Sequence, residues 1–420
     1  MTASPRNIIL LSADALRADH LSCYGYHRET SPVLDEFAAE SIQFENAYSA
    51  SSHTREAVPA LLTGEYPDVA VDDGYHLATD TVASTLSEAG YATAGFHSNP
   101  FVSRAYGFDE GFDHFDDDLH LGQNKLVALA QRALDKLRNR HYARAPEINE
   151  RSLTWVDSLD DDQPFFLWNH YMDTHGPYEP PGEYATLYTD QEISDRDAQS
   201  LYQRAIDDPD SISDDERQLL IDLYDAEIRY NDEHLGAFFD GLRERGLLEE
   251  SLVIVTADHG DAFGEHGYYE HPRYLHEEIT RVPLIASASP ESSETKAALR
   301  STIDIAATVY DEVGVSRQTS GESLLYDTSS KQRSIISQAR SESDDGTYRY
   351  AVRDNDGSCY CEYDQKRDTA KFIECHSEAL KQRLREHIMR DGRKEQQADK
   401  QDDGKLNSQV EDRLETLGYK

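Results

Sequence analysis

Short apolar runs recur from residue 6 to about 315, each bounded by polar or turn-forming residues. The runs at 7–13, 91–97, 165–171, 252–257 and 282–287 read as strands buried on both faces. Between them apolar positions fall three and four apart, which predicts helices over 33–41, 55–62, 80–89, 122–139 and 216–245. In the last of these, Leu219, Leu220, Leu223, Ile228, Leu235 and Phe238 mark the face that should enter the core. Strands alternating with helices predict an α/β architecture, a mostly parallel central sheet flanked by helices. Residues 182–217 are acidic and poor in large aliphatics, so they read as a surface excursion. After a helix at 303–313 the pattern changes. Strand-rich stretches at Thr347 to Val352 and Ser358 to Tyr363, then a helix at 376–390, predict a small C-terminal α+β domain. The expected division is 1–325 and 326–420, with a polar segment at 391–408.

Charge changes the picture next. The 420 residues carry a formal charge of -40, spread in blocks such as Asp116-Asp117-Asp118 and Asp160-Asp161-Asp162. Dispersed acid of this kind suits a high-salt cytoplasm, where ions screen the self-repulsion. It excludes nucleic acid as a partner, because the phosphate backbone would be repelled. The four cysteines show no CxxC spacing, and free buried thiols in a reducing compartment are expected. No leader pattern precedes the first strand and no run reaches 18 apolar residues, so a soluble cytoplasmic protein without a membrane span is expected.

Candidate chemistry sits at two strand ends. Leu252-Val253-Ile254-Val255 leads into Asp258-His259-Gly260, and Asn7-Ile8-Ile9-Leu10-Leu11 leads into Ser12-Ala13-Asp14. Open α/β sheets place their sites at the carboxyl ends of strands, and two carboxylates with an imidazole suit one divalent cation. Thr54 stands directly before the helical pattern at 55–62, where a hydroxyl is ordinarily a helix cap. Beside a cation the same hydroxyl would lose its proton more readily and become a nucleophile.

The ordered segments resemble the sulfatase family of the alkaline phosphatase superfamily. They include Asn7 to His20 with Cys23-Tyr24-Gly25-Tyr26, Leu61-Leu62-Thr63-Gly64-Glu65-Tyr66-Pro67, and Ser98-Asn99-Pro100. Further on come His170-Tyr171-Met172-Asp173-Thr174-His175-Gly176-Pro177, Val255-Thr256-Ala257-Asp258-His259-Gly260, Gly264-Glu265-His266-Gly267, His271 and Arg281-Val282-Pro283-Leu284. The resemblance implies an alkaline-phosphatase-like sandwich and hydrolysis of sulfate or phosphate esters of small molecules or glycans. It implies one divalent metal ion, Mn²⁺ or Ca²⁺ before Mg²⁺ or Zn²⁺, on Asp14, Thr54, Asp258 and His259. It places His175 and His271 beside the ester oxygen as acids for the leaving group. Arg55, Asn99 and Arg273 become candidates for contact with substrate, and His170 and Asp173 for support of the ligands. Arg17 and Asp19 read as a structural ion pair.

Two departures from the family pattern matter. Family members carry a Cys or Ser, converted to formylglycine, nine residues before the Thr-Gly pair and followed by x-Pro-Ser-Arg. Here that position is Thr54, followed by Arg55, Glu56, Ala57 and Val58, so no formylglycine is expected. The family's Asp-Asp pair after the first strand is Asp14-Ala15. The set that remains is similar to the Thr-nucleophile branch of the superfamily. A phosphoryl-group transferase and a catalytically silent binding protein are therefore the alternatives to an ester hydrolase.

Overall fold

The computed structural model describes residues 6–118, 142–287, 293–325, 333–341, 343 and 345–394. Its larger sheet uses eight strands: β1 (Asn7–Ala13), β2 (Ser41–Tyr48), β3 (Ala92–Phe96), β4 (His114–Asp116), β5 (Phe165–Tyr171), β6 (Ser251–Ala257), β9 (Leu284–Ser287) and β10 (Glu294–Ser301). The intervening β7 (Ala262–Phe263) and β8 (Tyr269–Glu270) form a separate short ribbon. The order across the large sheet is β10-β2-β9-β6-β1-β5-β3-β4, parallel except where β9 runs against β2 and β6. The expected α/β class is therefore observed.

Side-chain alternation along β1 divides the core. Ile9, Leu11 and Ala13 enter one apolar layer, and Ile8 and Leu10 enter the other. The first layer packs on α5 (Ala145–Val156) and on the long α7 (Asp214–Glu244), the second on α2 (Thr54–Thr63), α4 (Val82–Glu88) and α9 (Asp304–Val313). The remaining helices are α1 (Pro32–Ala39), the one-turn α3 (Pro67–Ala70) and α8 (Glu277–Thr280), α6 (Asp195–Asp207), and α10 (Glu378–Lys394). All six residues expected on the core face of α7 are buried. Ser213 begins that helix with a capping box to Glu216, which fixes its start.

Several expectations need correction. β2 and β10 were not anticipated, and β2 begins at Ser41, inside the span expected for the first helix. The excursion at 182–217 contains α6, whose Ala198, Leu201, Tyr202 and Ala205 are buried. The helix expected at 122–139 and most of the polar segment at 391–408 lie outside the described residues. The cysteines are not all free thiols: Cys359 and Cys375 form a disulfide, while Cys23 and Cys361 are free. The antiparallel register brings that pair together across 16 positions, which a linear reading of the spacing does not reveal.

The C-terminal sheet is antiparallel, in the order β11 (Ile335–Arg340), β12 (Thr347–Asp354), β13 (Gly357–Asp364) and β14 (Thr369–Ile373). Leu380, Leu384 and Ile388 of α10 pack on its Val352 and Cys359. Strand β11 docks beside the start of α2. Gln338 N donates to Ala50 O at 2.8 Å, Ser337 Oγ to Ser49 O at 2.6 Å, and Arg340 N to Glu56 Oε1 at 3.2 Å.

Two stability predictions arise here. With a formal charge of -40, the melting temperature should rise from dilute buffer to molar KCl as salt screens the repulsion. A flat or falling dependence in thermal melts would remove the salt-adaptation reading. The second concerns His97, buried between Phe115 and Trp168 with both ring nitrogens lacking a hydrogen-bond partner among the described residues. Burial, with the nearby His170, pushes it from 6.5 down to about 3. The unfolded chain therefore takes up this proton first as pH falls. Stability from a neutral His97 is complete above pH 6.5 and is lost progressively towards pH 3. The slope reaches ~1.4 kcal/mol per pH unit. His97→Phe should flatten denaturant midpoints across that window, and an unchanged slope would contradict the assignment.

Candidate active site

The central strand β1 is flanked by β6 on one side and β5 on the other, with Ala13 level with both Ala257 and Tyr171. The next residue of β1 and the next of β6 therefore emerge side by side at the carboxyl edge. Asp14 N donates to Tyr171 O at 2.8 Å, and Asp258 N to Ala13 O at 3.2 Å. These backbone bonds fix both carboxylates before any ligand arrives. His259 follows, and Gly260 after it has a packing reason. A Cβ there would lie 2.2 Å from the carbonyl oxygen of Glu278, and Gly260 N donates to Ile279 O at 2.7 Å.

Asp14, Asp258 and His259 are fully buried, and one ligand atom from each lies within 4.8 Å of the others. His259 Nδ1 is 2.9 Å from Gly260 O, an arrangement in which Nδ1–H donates and Nε2 presents its lone pair to the site. That Nε2 stands 3.5 Å from both Asp14 Oδ1 and Asp258 Oδ2. Both of those oxygens lack a hydrogen-bond partner among the described residues. Buried acceptors facing one another need positive charge between them. The donor set thus fits a divalent cation, by its chemistry and by its two orphaned oxygens.

The protein itself supplies part of that charge. Asn99 Nδ2 donates to Asp14 Oδ2 at 2.6 Å, and His170 Nε2 approaches the same oxygen at 3.3 Å. Burial raises the carboxyl of Asp14, but His175, His170 and His259 together outweigh it and hold it well below the usual range. Burial and the charge of Asp14 push Asp258 upward. Two carboxylates sharing one pocket behave this way when a single proton or cation must serve both.

Thr54 is placed by α2, and the cap role that a hydroxyl there ordinarily fills falls to another residue. His53 is the N-cap, its Nδ1 accepting from Arg55 N at 3.2 Å. The Thr54 hydroxyl points instead into the site, with Oγ1 3.2 Å from His259 Nε2 and 3.5 Å from Asp14 Oδ2. It also lies at the first turn of α2, the positive end of the helix dipole.

Histidines form the opposite wall. The His271 ring lies 4.4 Å from His259, 5.0 Å from His175 and 5.5 Å from His53, between ring centres. His271 Nδ1 contacts Asp261 Oδ1 at 3.1 Å, and its Nε2 has no hydrogen-bond partner among the described residues. Burial and the neighbouring His259 push His271 down to about 4. His175 Nδ1 meets Gly176 O at 2.6 Å.

The other expected residues divide. Asn99 spends both ends of its amide, since its Oδ1 also accepts from Phe101 N at 2.8 Å, so it orients Asp14. Arg55 lies over the Phe101 ring at 4.2 Å, beside Tyr75. Arg273 pairs with the buried Glu56, which Arg340 of β11 also approaches at 3.7 Å. Asp173 does not reach Asp14. It binds Arg144 at 2.9 Å and the first backbone N–H of α5 at 3.0 Å. Arg17 pairs with Asp19 at 2.8 Å, and also with Glu265 at 2.6 Å. Sequence reasoning missed His53, Glu56, Tyr75 and Asp261. His53 and Glu56 flank Thr54 and Arg55 within one short run, the one signal that pointed to them.

Fold and site together define an α/β protein of the alkaline phosphatase type. The chain belongs to the sulfatase family, whose model matches residues 6–315. It is 23% identical over 394 residues to an N-acetylglucosamine-6-O-sulfatase of Bacteroides thetaiotaomicron, covering 74% of this chain and 68% of the relative. It is 25% identical over 315 residues to an arylsulfatase of Clostridium perfringens, covering 63% and 64%. The chain thus spans about two-thirds of these curated relatives. A phosphonate monoester hydrolase from Silicibacter pomeroyi shares the fold, with TM-score 0.67 and 19% identity over 92% of this chain and 95% of that one. Among the described residues no helix is long and apolar enough to cross a membrane.

Proposed function

We propose that this protein hydrolyses sulfate or phosphate esters, with unmodified Thr54 as the nucleophile beside one divalent metal ion. The observation that carries this reading is the Thr54 hydroxyl, free of helix capping and 3.2 Å from His259 Nε2. Asp14, Asp258 and His259, with Thr54 Oγ1, are the residues that would hold the ion. When bound it supplies the charge that acidifies a hydroxyl and offsets the negative charge of an ester.

The rest is the work of the side chains. Thr54 Oγ, its proton lost to solvent, forms a bond to phosphorus or sulfur as the bond to the leaving oxygen breaks. His271 or His175 gives that oxygen a proton, a contribution of ~10²–10⁴-fold in rate. The depressed His271 belongs to the ligand-free state, where it faces other imidazoles. A bound anionic ester reverses the sign of that interaction and favours the protonated ring. Water then attacks the esterified centre, giving a proton to the imidazole that had protonated the leaving group, and the bond to Thr54 Oγ breaks, that oxygen regaining a proton from solvent. Arg55 and Arg273 are the residues we assign to anionic or hydroxyl groups of the substrate, which the family relation suggests is a small-molecule or glycan ester.

The resetting step favours phosphate. A formylglycine hydrate expels sulfate by breaking its own C–O bond, whereas a Thr ester requires water to attack sulfur or phosphorus. Turnover of a nitrophenyl phosphate mono- or diester should therefore exceed that of the matching sulfate in high salt with Mn²⁺, Ca²⁺, Mg²⁺ or Zn²⁺. The readout is the ratio of kcat/KM values. A ratio favouring sulfate tenfold, ~1.4 kcal/mol in transition-state binding, would reverse the preference. No turnover of any ester with any of these metals would leave the binding-protein alternative.

A further inference from the structure

A second group of side chains able to hold a metal lies outside the active site, on the segment that runs from β6 into α8. His266, His276 and Glu278 each offer one ligand atom, all within 4.8 Å of one another. His266 Nε2 lies 3.3 Å from Glu278 Oε1, and His276 Nδ1 lies 3.9 Å from the same oxygen. The Tyr268 hydroxyl reaches both partners, at 2.6 Å from His276 Nδ1 and 3.1 Å from Glu278 Oε1. The two imidazoles lie with centres 3.9 Å apart and planes tilted by 30°.

Glu278 is the informative member. Its side chain is only 7% exposed, yet among the described residues no lysine or arginine forms an ion pair with it. Its neighbours are two imidazoles and one phenol. A cation held by all three groups would supply the positive partner that this buried carboxyl group otherwise lacks.

We propose that His266, His276 and Glu278, with the Tyr268 hydroxyl as fourth donor, form a Zn²⁺ site distinct from the active-site centre. Two imidazole nitrogens and a carboxylate are a donor set that suits zinc and disfavours Mg²⁺ or Ca²⁺. Four-coordinate zinc with bonds of ~2.0–2.1 Å sets neighbouring donors ~3.3 Å apart. The His266–Glu278 distance meets that value, while His276 Nδ1 must close on Glu278 by ~0.6 Å and open from the Tyr268 hydroxyl by ~0.7 Å. His266 is 46% exposed and His276 28%, so an ion enters directly from solvent. The active-site group is wholly buried and richer in oxygen, so the two sites differ in the cation they select.

The position gives the ion a consequence. Glu278 is the first-turn neighbour of the backbone that packs on Gly260, and His271 and Arg273 lie between the two histidines in sequence. Zinc joining His266 to His276 and Glu278 would close the loop that carries both residues.

The test uses the full chain carrying Asp258→Asn, which removes a ligand of the buried centre and isolates the second site. The protein is equilibrated with Zn²⁺ in high salt, passed through metal-free buffer and analysed for retained metal. Retention of one equivalent is expected, with slowed amide exchange over 264–280. His276→Phe, which keeps an aromatic ring, and Glu278→Gln should each weaken zinc binding by ~10-fold or more. Their far-UV spectra and zinc-free melting should stay close to those of the starting protein. No retained zinc, or retention undiminished in both variants, would overturn the site. Neither result bears on Thr54, so this inference stands or falls apart from the proposed reaction.

Discussion

Replacing Thr54 with alanine is expected to lower kcat by ~10³-fold or more while the protein still folds. The side chain is fully buried, and its loss removes a methyl group and a hydroxyl that caps nothing. That is worth ~1–2 kcal/mol of stability, small beside the 5–15 kcal/mol of a typical domain. The hydroxyl, by contrast, faces both His259 Nε2 and Asp14 Oδ2. Thr54→Ser keeps that oxygen and loses only the methyl group that fixes its rotamer, so it should retain activity within ~10²-fold of the parent. Steady-state rates and thermal melts of the two variants decide the matter. An alanine variant that keeps most of the activity would show that Thr54 is not the nucleophile.

The second large effect is expected from Asp258→Asn, and it has two parts of opposite sign. With metal present, the variant should lose tightly bound ion at the buried centre and fall by ~10²-fold or more in kcat/KM. Without metal, the same substitution should stabilise the protein. In the parent, Asp14 and Asp258 then face each other without a cation, and burial and repulsion push Asp258 upward. An amide removes that repulsion. The parent should gain thermal stability on adding metal, ~2.7 kcal/mol when the ion is a hundredfold above its Kd, and the variant much less. A parent whose melting ignores Mn²⁺, Ca²⁺, Mg²⁺ and Zn²⁺ alike would speak against a metal centre.

The parts of the fold that were legible in the sequence share a physical cause. Strands β1, β5 and β6 are buried on both faces and therefore read as continuous apolar runs, and each lies within a residue of its expected span. β10 pairs with β2 alone at the edge of the sheet, and its Glu294, Thr295, Lys296 and Arg300 break any apolar run. β2 was hidden because it starts one residue after Glu40, which follows the last turn of α1. The disulfide was hidden because strand register, which sequence spacing does not state, sets which cysteines meet.

The candidate site was legible for a related reason. Asp14 and Asp258 follow the most recognisable strands, so their convergence followed from topology once those strands were placed in one parallel sheet. Nothing local separates Thr54 from a helix cap, and its place as nucleophile and metal ligand came from the family resemblance. His53 takes the cap role by turning its own ring nitrogen to the helix, a side-chain choice that the spacing does not encode. Asp173 was misplaced for the opposite reason. It stands three residues after His170, but the chain has already turned away, and Arg144 claims it.

The central claim is covalent: an unmodified Thr54 takes the phosphoryl or sulfuryl group before water does. The direct measurement is peptide mapping by mass spectrometry of metal-loaded enzyme quenched in acid during turnover of a nitrophenyl phosphate. The peptide containing Thr54 should have the mass of unmodified threonine at rest. During turnover a fraction should gain the mass of one phosphoryl group, with fragmentation locating it on Thr54. Turnover with the adduct on another residue would contradict the account.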